Sequence, residues 1–200
     1  NMEVHSYHSF CVKYYKRNCF TDHGILKLLA NKQKPLSKFT YDIIVLDEAQ
    51  DITPTYYQLV CKILNDNEHN RNAYYKQLKE SGSTKVKSSL RLCVLGDINQ
   101  SIYDFNKADS RFIKYINQFL TPNSTGWVKQ NLSISFRLTI PMADFVNKCL
   151  LKQDRVTAIK KGSKIKYSIC DCFGGTGKTY KPAEEINHFL QLGYSYSDIF

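Results

Sequence analysis

Two short apolar runs organise the chain. Ile43-Ile44-Val45-Leu46 lies in YDIIVLDEAQD (41–51), and Leu92-Cys93-Val94-Leu95 lies in RLCVLGDINQ (91–100); each leads into an acidic residue. Unbroken aliphatic runs of this length predict parallel strands buried on both faces. The period then changes. Tyr56, Leu59, Val60, Ile63 and Leu64 share one helical face, with Thr53 placed as N-cap and Pro54 in the first turn. A second stripe joins Phe112, Ile113, Ile116, Phe119 and Leu120, and a third joins Met142, Phe145, Val146, Cys149 and Leu150 after Thr139 and Pro141. A fourth joins Ile186, Phe189 and Leu190 between Pro182 and Gly193. Strands alternating with helices predict an α/β fold.

Between the first helix and the second strand, residues 65–90 are polar and read as a surface insertion holding at most a short helix over 73–78. A further strand is expected at Lys164–Ile169, before DCFGGTGKTYKP (171–182). The stretch 152–164 carries Lys152, Arg155, Lys160, Lys161 and Lys164 against Asp154 and is the expected linker. The expected division is therefore 1–150 for one domain and 151–200 for the linker and the beginning of a second. Both ends of the chain read as cuts through a larger protein.

Charge narrows the class of partner. The 200 residues carry 28 Lys and Arg against 18 Asp and Glu, a net +10, which suits a polyanion such as nucleic acid. Seven scattered cysteines without C-x-x-C spacing point to a reducing, intracellular compartment rather than a disulfide framework or a zinc site. No apolar run approaches the roughly 18–20 residues of a membrane span.

Chemistry enters at the strand ends, where open α/β sheets place their ligands. Asp47 and Glu48 follow the first run, and Asp97 follows the second. A nucleotide hydrolase needs one acid for Mg²⁺, often through water, and a second to orient and deprotonate the attacking water. Asp47 and Glu48 are the residue types for those two roles; two adjacent acids in a solvated turn are the alternative. Gln100, just past the second strand, has an amide that can accept from water and donate to phosphate. Tyr103 and Phe105 are placed to stack on unpaired bases or to pack in the core.

Four segments, in order, resemble superfamily 1 helicases of the UvrD/Rep type. VHSYHSF (4–10) is similar to the element preceding motif II, DEAQD (47–51) to motif II, GDINQSIYDF (96–105) to motif III, and NLSISFRLTIPMADFV (131–146) to motif IV. The resemblance implies a RecA-like motor domain and the start of a second one. It also implies ATP and Mg²⁺ as cofactors, and single-stranded DNA or single/double-strand junctions as partners, with movement 3′ to 5′. It implies that Asp47, Glu48, Gln100 and Arg137 serve the nucleotide, with Arg137 as an internal arginine finger. His8, Ser9, Tyr103 and Phe105 would meet DNA, and Gln50, Asp51 and Asp97 would couple the two sites. The family's Arg-Gly after the motif III aromatic reads Asn106-Lys107 here, and its usual Thr reads Ser6.

The phosphate loop of that family precedes the first of these segments and is expected before Asn1, which leaves residues 1–200 alone with little ATPase activity. GGTGKT (174–179) imitates its ending, but Cys172 stands where the pattern wants Gly, and Pro182 starts the next helix three residues after Thr179. It reads as a Gly-rich turn. A silent single-stranded nucleic-acid-binding module, an RNA helicase of the same superfamily, and a helicase–nuclease fragment are the alternatives.

Overall fold

The computed structural model describes residues 2–103, 107–120, 126–167, 169 and 181–199. They form two units, Asn1–Val128 and Lys129–Phe200, each treated separately below. Phe105, Cys170, Cys172 and the GGTGKT segment lie outside the described residues.

In the first unit, helices α1 (Tyr7–Tyr14) and α2 (Asp22–Ala30) precede strand β1 (Ile43–Leu46). Their starts are fixed by hydroxyl caps. Ser6 accepts from the Ser9 amide at 3.2 Å and Thr21 from the Gly24 amide at 3.2 Å. Each such cap contributes about 1 kcal/mol by satisfying an otherwise orphaned N–H. Helix α3 (Pro54–Glu80) begins with Thr53 accepting from the Tyr56 amide, leads to strand β2 (Arg91–Val94), and is followed by the short helices α4 (Arg111–Lys114) and α5 (Ile116–Phe119).

Strands β1 and β2 are parallel neighbours, with Ile43 opposite Arg91 and Leu46 opposite Val94. The two apolar runs are thus strands, as their pattern predicts. Ile44, Leu46, Leu92 and Val94 pack against Val60, Leu64, Ile116 and Leu120. Burial on both faces does not hold among the described residues, because α3 and the 112–120 segment cover one face only. Ile43 and Val45, on the other, remain 57% and 54% exposed. A second core joins Cys11, Tyr14, Tyr15, Phe39, Leu59 and Ile63 between α1, α2 and α3.

The polar stretch after Leu64 departs from expectation. Residues 65–80 continue α3 without a break, so the short helix expected over 73–78 is the end of a 27-residue one. Polar side chains hold it there. Buried Asn67 brackets the backbone of Tyr41, accepting from its N–H at 2.7 Å and donating to its carbonyl at 3.0 Å. Arg71, 1% exposed, donates to Asp42 Oδ1 at 2.9 Å and to the Ser88 carbonyl at 2.6 Å. An apolar-stripe criterion misses such a helix, because its buried face is amide and guanidinium.

The second unit runs from strand β3 (Ile134–Thr139) through helix α6 (Ile140–Phe145) and a π-helical turn (Val146–Leu151) to strand β4 (Thr157–Lys160). The strands are parallel, with an irregularity between Ser135 and Thr139. Asn147 locks the crossover by donating to the Val156 carbonyl at 2.8 Å and accepting from the Arg155 and Val156 amides at 3.1 and 2.9 Å. The basic stretch 152–164 therefore contains β4. The strand expected at 164–169 is absent from its described residues. Helix α7 (Lys181–Gln191) follows the fourth stripe, with Lys166 paired to Glu185 at 2.7 Å.

Candidate nucleotide and nucleic-acid site

The chain leaves β1 into Asp47 and Glu48 and turns at once into a single 3₁₀ turn, Ala49–Asp51. Asp47 Oδ1 accepts from the Glu48 amide at 3.0 Å. Glu48 adopts left-handed backbone, φ 50°, a conformation that costs a non-glycine residue of order 1 kcal/mol. Gln50, 2% exposed, lies beneath it. The Gln50 Nε2 donates to Glu48 Oε2 at 2.6 Å, and its Oε1 accepts from the Asp97 amide at 3.1 Å. One buried amide therefore joins the acid at the end of β1 to the loop at the end of β2.

That loop is built to come close. The Ala49 amide donates to the Leu95 carbonyl at 2.9 Å, extending the β1–β2 ladder beyond both strands. A Cβ at Gly96 would sit 2.6 Å from Gln50 Oε1 and 2.7 Å from Ile113 Cδ1, so the approach requires glycine. Asp97 then caps the turn Ile98–Gln100, accepting from the Asn99 amide with Oδ1 and from Gln100 Nε2 with Oδ2 at 3.2 Å. Asp51 has Oδ1 buried without a hydrogen-bond partner among the described residues. Desolvation, and then the neighbouring Glu48 charge, raise its carboxyl above the ordinary range.

The structure thus brings together Asp47, Glu48, Gln50, Asp51, Asp97 and Gln100 at the carboxyl ends of two adjacent parallel strands. Tyr103 lies just beyond, 43% exposed. Arg137 is on β3 of the second unit, with its side chain exposed. His8 and Ser9 are in the first turns of α1. Ser9 Oγ donates to the Ser6 carbonyl at 3.0 Å, and His8 Nε2 lies 3.0 Å from Asp22 Oδ1.

Asp22 and Tyr56 were not evident as partners from the sequence. Tyr56 OH donates to Asp22 Oδ1 at 2.8 Å, and its ring stacks on Tyr7 at 4.5 Å and meets His8 edge-on at 6.0 Å. Burial, and then the Asp22 bond, push the Tyr56 phenol up to about 12, so it remains a donor at neutral pH. In the sequence Tyr56 reads as a member of the apolar α3 stripe, which does not reveal the partner of its hydroxyl.

No group of three or more His, Cys, Asp or Glu side chains with metal-binding geometry occurs among the described residues. A Mg²⁺ ion needs fewer protein ligands, one or two carboxylates with phosphate oxygens and waters completing the octahedron. Asp47 fits that demand, since its second carboxylate oxygen carries no hydrogen bond among the described residues and the residue is exposed at the strand end. No described helix is long and apolar enough to cross a membrane.

Among known families, the UvrD/REP helicase N-terminal domain matches residues 22–120. The match contains DEAQD and GDINQSIYDF; VHSYHSF and the segment around Arg137 lie outside it. No curated protein matches the chain.

Proposed function

We propose, from a chain whose residues 22–120 are a UvrD/Rep-type helicase segment, that it supplies the hydrolysis-sensing edge of an ATP-driven motor that moves on single-stranded DNA. The observation that carries this reading is the Gln50 side chain, which links Glu48 to the Asp97 loop through two hydrogen bonds. Helicase-type coupling needs a connection of this kind, between the group that activates water and the segment that leads to DNA.

In this mechanism Glu48 accepts a proton from the attacking water, and Gln50 holds its carboxylate in place. Asp47 would hold Mg²⁺ at the end of β1. Magnesium-bound ATP brings the transferable phosphoryl group and partial neutralisation of its oxygens. Gln100 is held by Asp97 on the same edge, with an amide able to exchange that partner for a phosphate oxygen or water. A shift of Gln100 would be felt by Asp97 and, through the Asp97 amide, by Gln50. Tyr103 and Phe105 follow directly in the chain as base-stacking groups, and the resemblance of the motifs gives Arg137 the role of a cation for the phosphates. The direction of movement, 3′ to 5′, rests on the resemblance of the motifs.

A catalytically silent nucleic-acid-binding module has no use for a left-handed glutamate held by a buried amide, which favours the motor. The test is ATP hydrolysis by the longest natural form of the protein containing these residues, with and without single-stranded DNA. Stimulation by DNA is expected; DNA binding without any hydrolysis would favour the silent module.

A further inference from the structure

The junction of α1 and α2 holds a feature that the motor reading does not use. A cavity of about 230 Å³ opens there, lined among others by Lys16, Asn18, Thr21, His23, Lys27 and Asn31. Its lining contains no carboxylate and no Phe, Tyr or Trp ring. The surrounding segment 11–40 carries Lys13, Lys16, Arg17, Lys27, Lys32, Lys34 and Lys38 against a single acid, Asp22. That acid is engaged elsewhere, by His8 and Tyr56. Lys13 pairs with Glu3 at 2.9 Å, whereas the other six cations have no ion-pair partner among the described residues.

The cavity is held in shape by backbone contacts. A Cβ at Gly24 would fall 2.3 Å from the Asn18 carbonyl oxygen, so the first turn of α2 is pressed against Asn18 and Cys19. The Cys19 amide donates to the Lys16 carbonyl at 3.1 Å, and the Gln33 amide to the Leu28 carbonyl at 3.1 Å. These bonds fix both ends of the wall.

We propose that this cavity is a second nucleic-acid contact, one that binds the sugar-phosphate backbone of single-stranded DNA without reading its sequence. Lysine point charges, amides and a hydroxyl recognise phosphate oxygens, and the lining's one ring, the small His23 imidazole, offers a base less stacking area than a Phe, Tyr or Trp would. Arg17, Lys32 and Lys34 flank the cavity in the chain and extend the attraction along a strand. The inference rests on the reading of the protein as a nucleic-acid motor and adds a contact outside its motifs.

The test uses fluorescence anisotropy of a labelled oligothymidylate of about 16 nucleotides, titrated with the full chain over a range of salt concentrations. The variant Lys16→Gln/Lys27→Gln is compared with Lys76→Gln/Lys79→Gln, which removes the same charge from the far end of α3. Thermal unfolding of each verifies that it folds. The pocket variant is expected to bind on the order of ten-fold more weakly than the control, with a salt slope shallower by about 1.4, the value for two lost phosphate contacts on a single strand. Equal losses in the two variants would show only diffuse charge attraction and overturn the inference while leaving the motor reading intact. Failure of the unaltered chain to bind the oligonucleotide at all would remove both.

Discussion

The amide nitrogen of Gln50 stands 2.6 Å from Glu48 Oε2, and the same side chain accepts the Asp97 amide at 3.1 Å. A glutamate in left-handed backbone at a strand end is thereby held from below by a residue that has almost no solvent contact. The donor that orients the carboxylate is an uncharged amide, and orientation is what a base for water requires.

Replacing Gln50 should therefore weaken the fold as well as the chemistry. Gln50→Ala removes the hydrogen bonds from Gln50 to Glu48 and from the Asp97 amide to Gln50, and a loss of about 1–3 kcal/mol is expected from urea unfolding of the chain. Gln50→Glu should cost at least as much, since it sets two carboxylates against each other. An unchanged unfolding midpoint in Gln50→Ala would contradict the bridge.

Gly96 and Gln50 should be energetically coupled. Gly96→Ala drives a methyl group into Gln50 Oε1 and Ile113 Cδ1, with an expected cost of about 1–3 kcal/mol. In the Gln50→Ala background the nearest of three close atoms is gone, with Ile113 Cδ1 and the Ala49 nitrogen remaining, so the same substitution should cost less. A double-mutant cycle that is additive within about 0.5 kcal/mol would separate the two residues.

The polar half of α3 should behave as part of the core. Asn67→Ala removes both bonds to the Tyr41 backbone, and a loss of about 2 kcal/mol is expected in urea unfolding. Lys79→Ala, at the exposed end of the same helix, should stay within about 0.5 kcal/mol of the parent. Equal, negligible effects would return residues 65–80 to the status of a surface insertion.

Much of the first unit was legible in the sequence because its signals are local. Aliphatic runs marked β1 and β2, and Thr53 with Pro54 marked the start of α3, whereas α1 and α2 carried no such reading. Acids at strand ends marked the site that DEAQD and GDINQ share. What escaped notice depends on distant partners. Asn67 and Arg71 read as surface residues until Tyr41, Asp42 and Ser88 are placed beside them. Gly96 reads as part of a motif, and only the closeness of Gln50 explains why it must lack a side chain. Asp22 looks like an ordinary helix-start acid, although its carboxylate serves His8 and Tyr56. Among the described residues one side of β1 is left uncovered, which the sequence did not show because an aliphatic run tells what a strand can bury, not what covers it.

Acid should loosen the start of the chain through Glu3. Lys13, Tyr41, Tyr14 and His5 all hydrogen-bond its carboxylate and hold it far below the usual carboxylate range. A carboxyl depressed on folding contributes stability that is complete above its unfolded value, about 4.3, and is lost as pH falls toward the folded value. The parent should therefore exceed Glu3→Gln in unfolding midpoint by a constant margin from about pH 7 to pH 5, and the margin should shrink below about pH 4. A margin independent of pH down to about pH 3 would mean that the carboxylate charge is not what fastens the segment.

The most direct test of the motor reading is the effect of Glu48→Gln on DNA-stimulated ATP hydrolysis, in the longest natural form of the protein that contains these residues. The substitution keeps the size of the side chain and removes the base. Turnover should fall on the order of 10²-fold or more, with ATP and single-stranded DNA still bound. Hydrolysis by Glu48→Gln at the parent rate would show that the Glu48–Gln50–Asp97 edge does not carry the reaction.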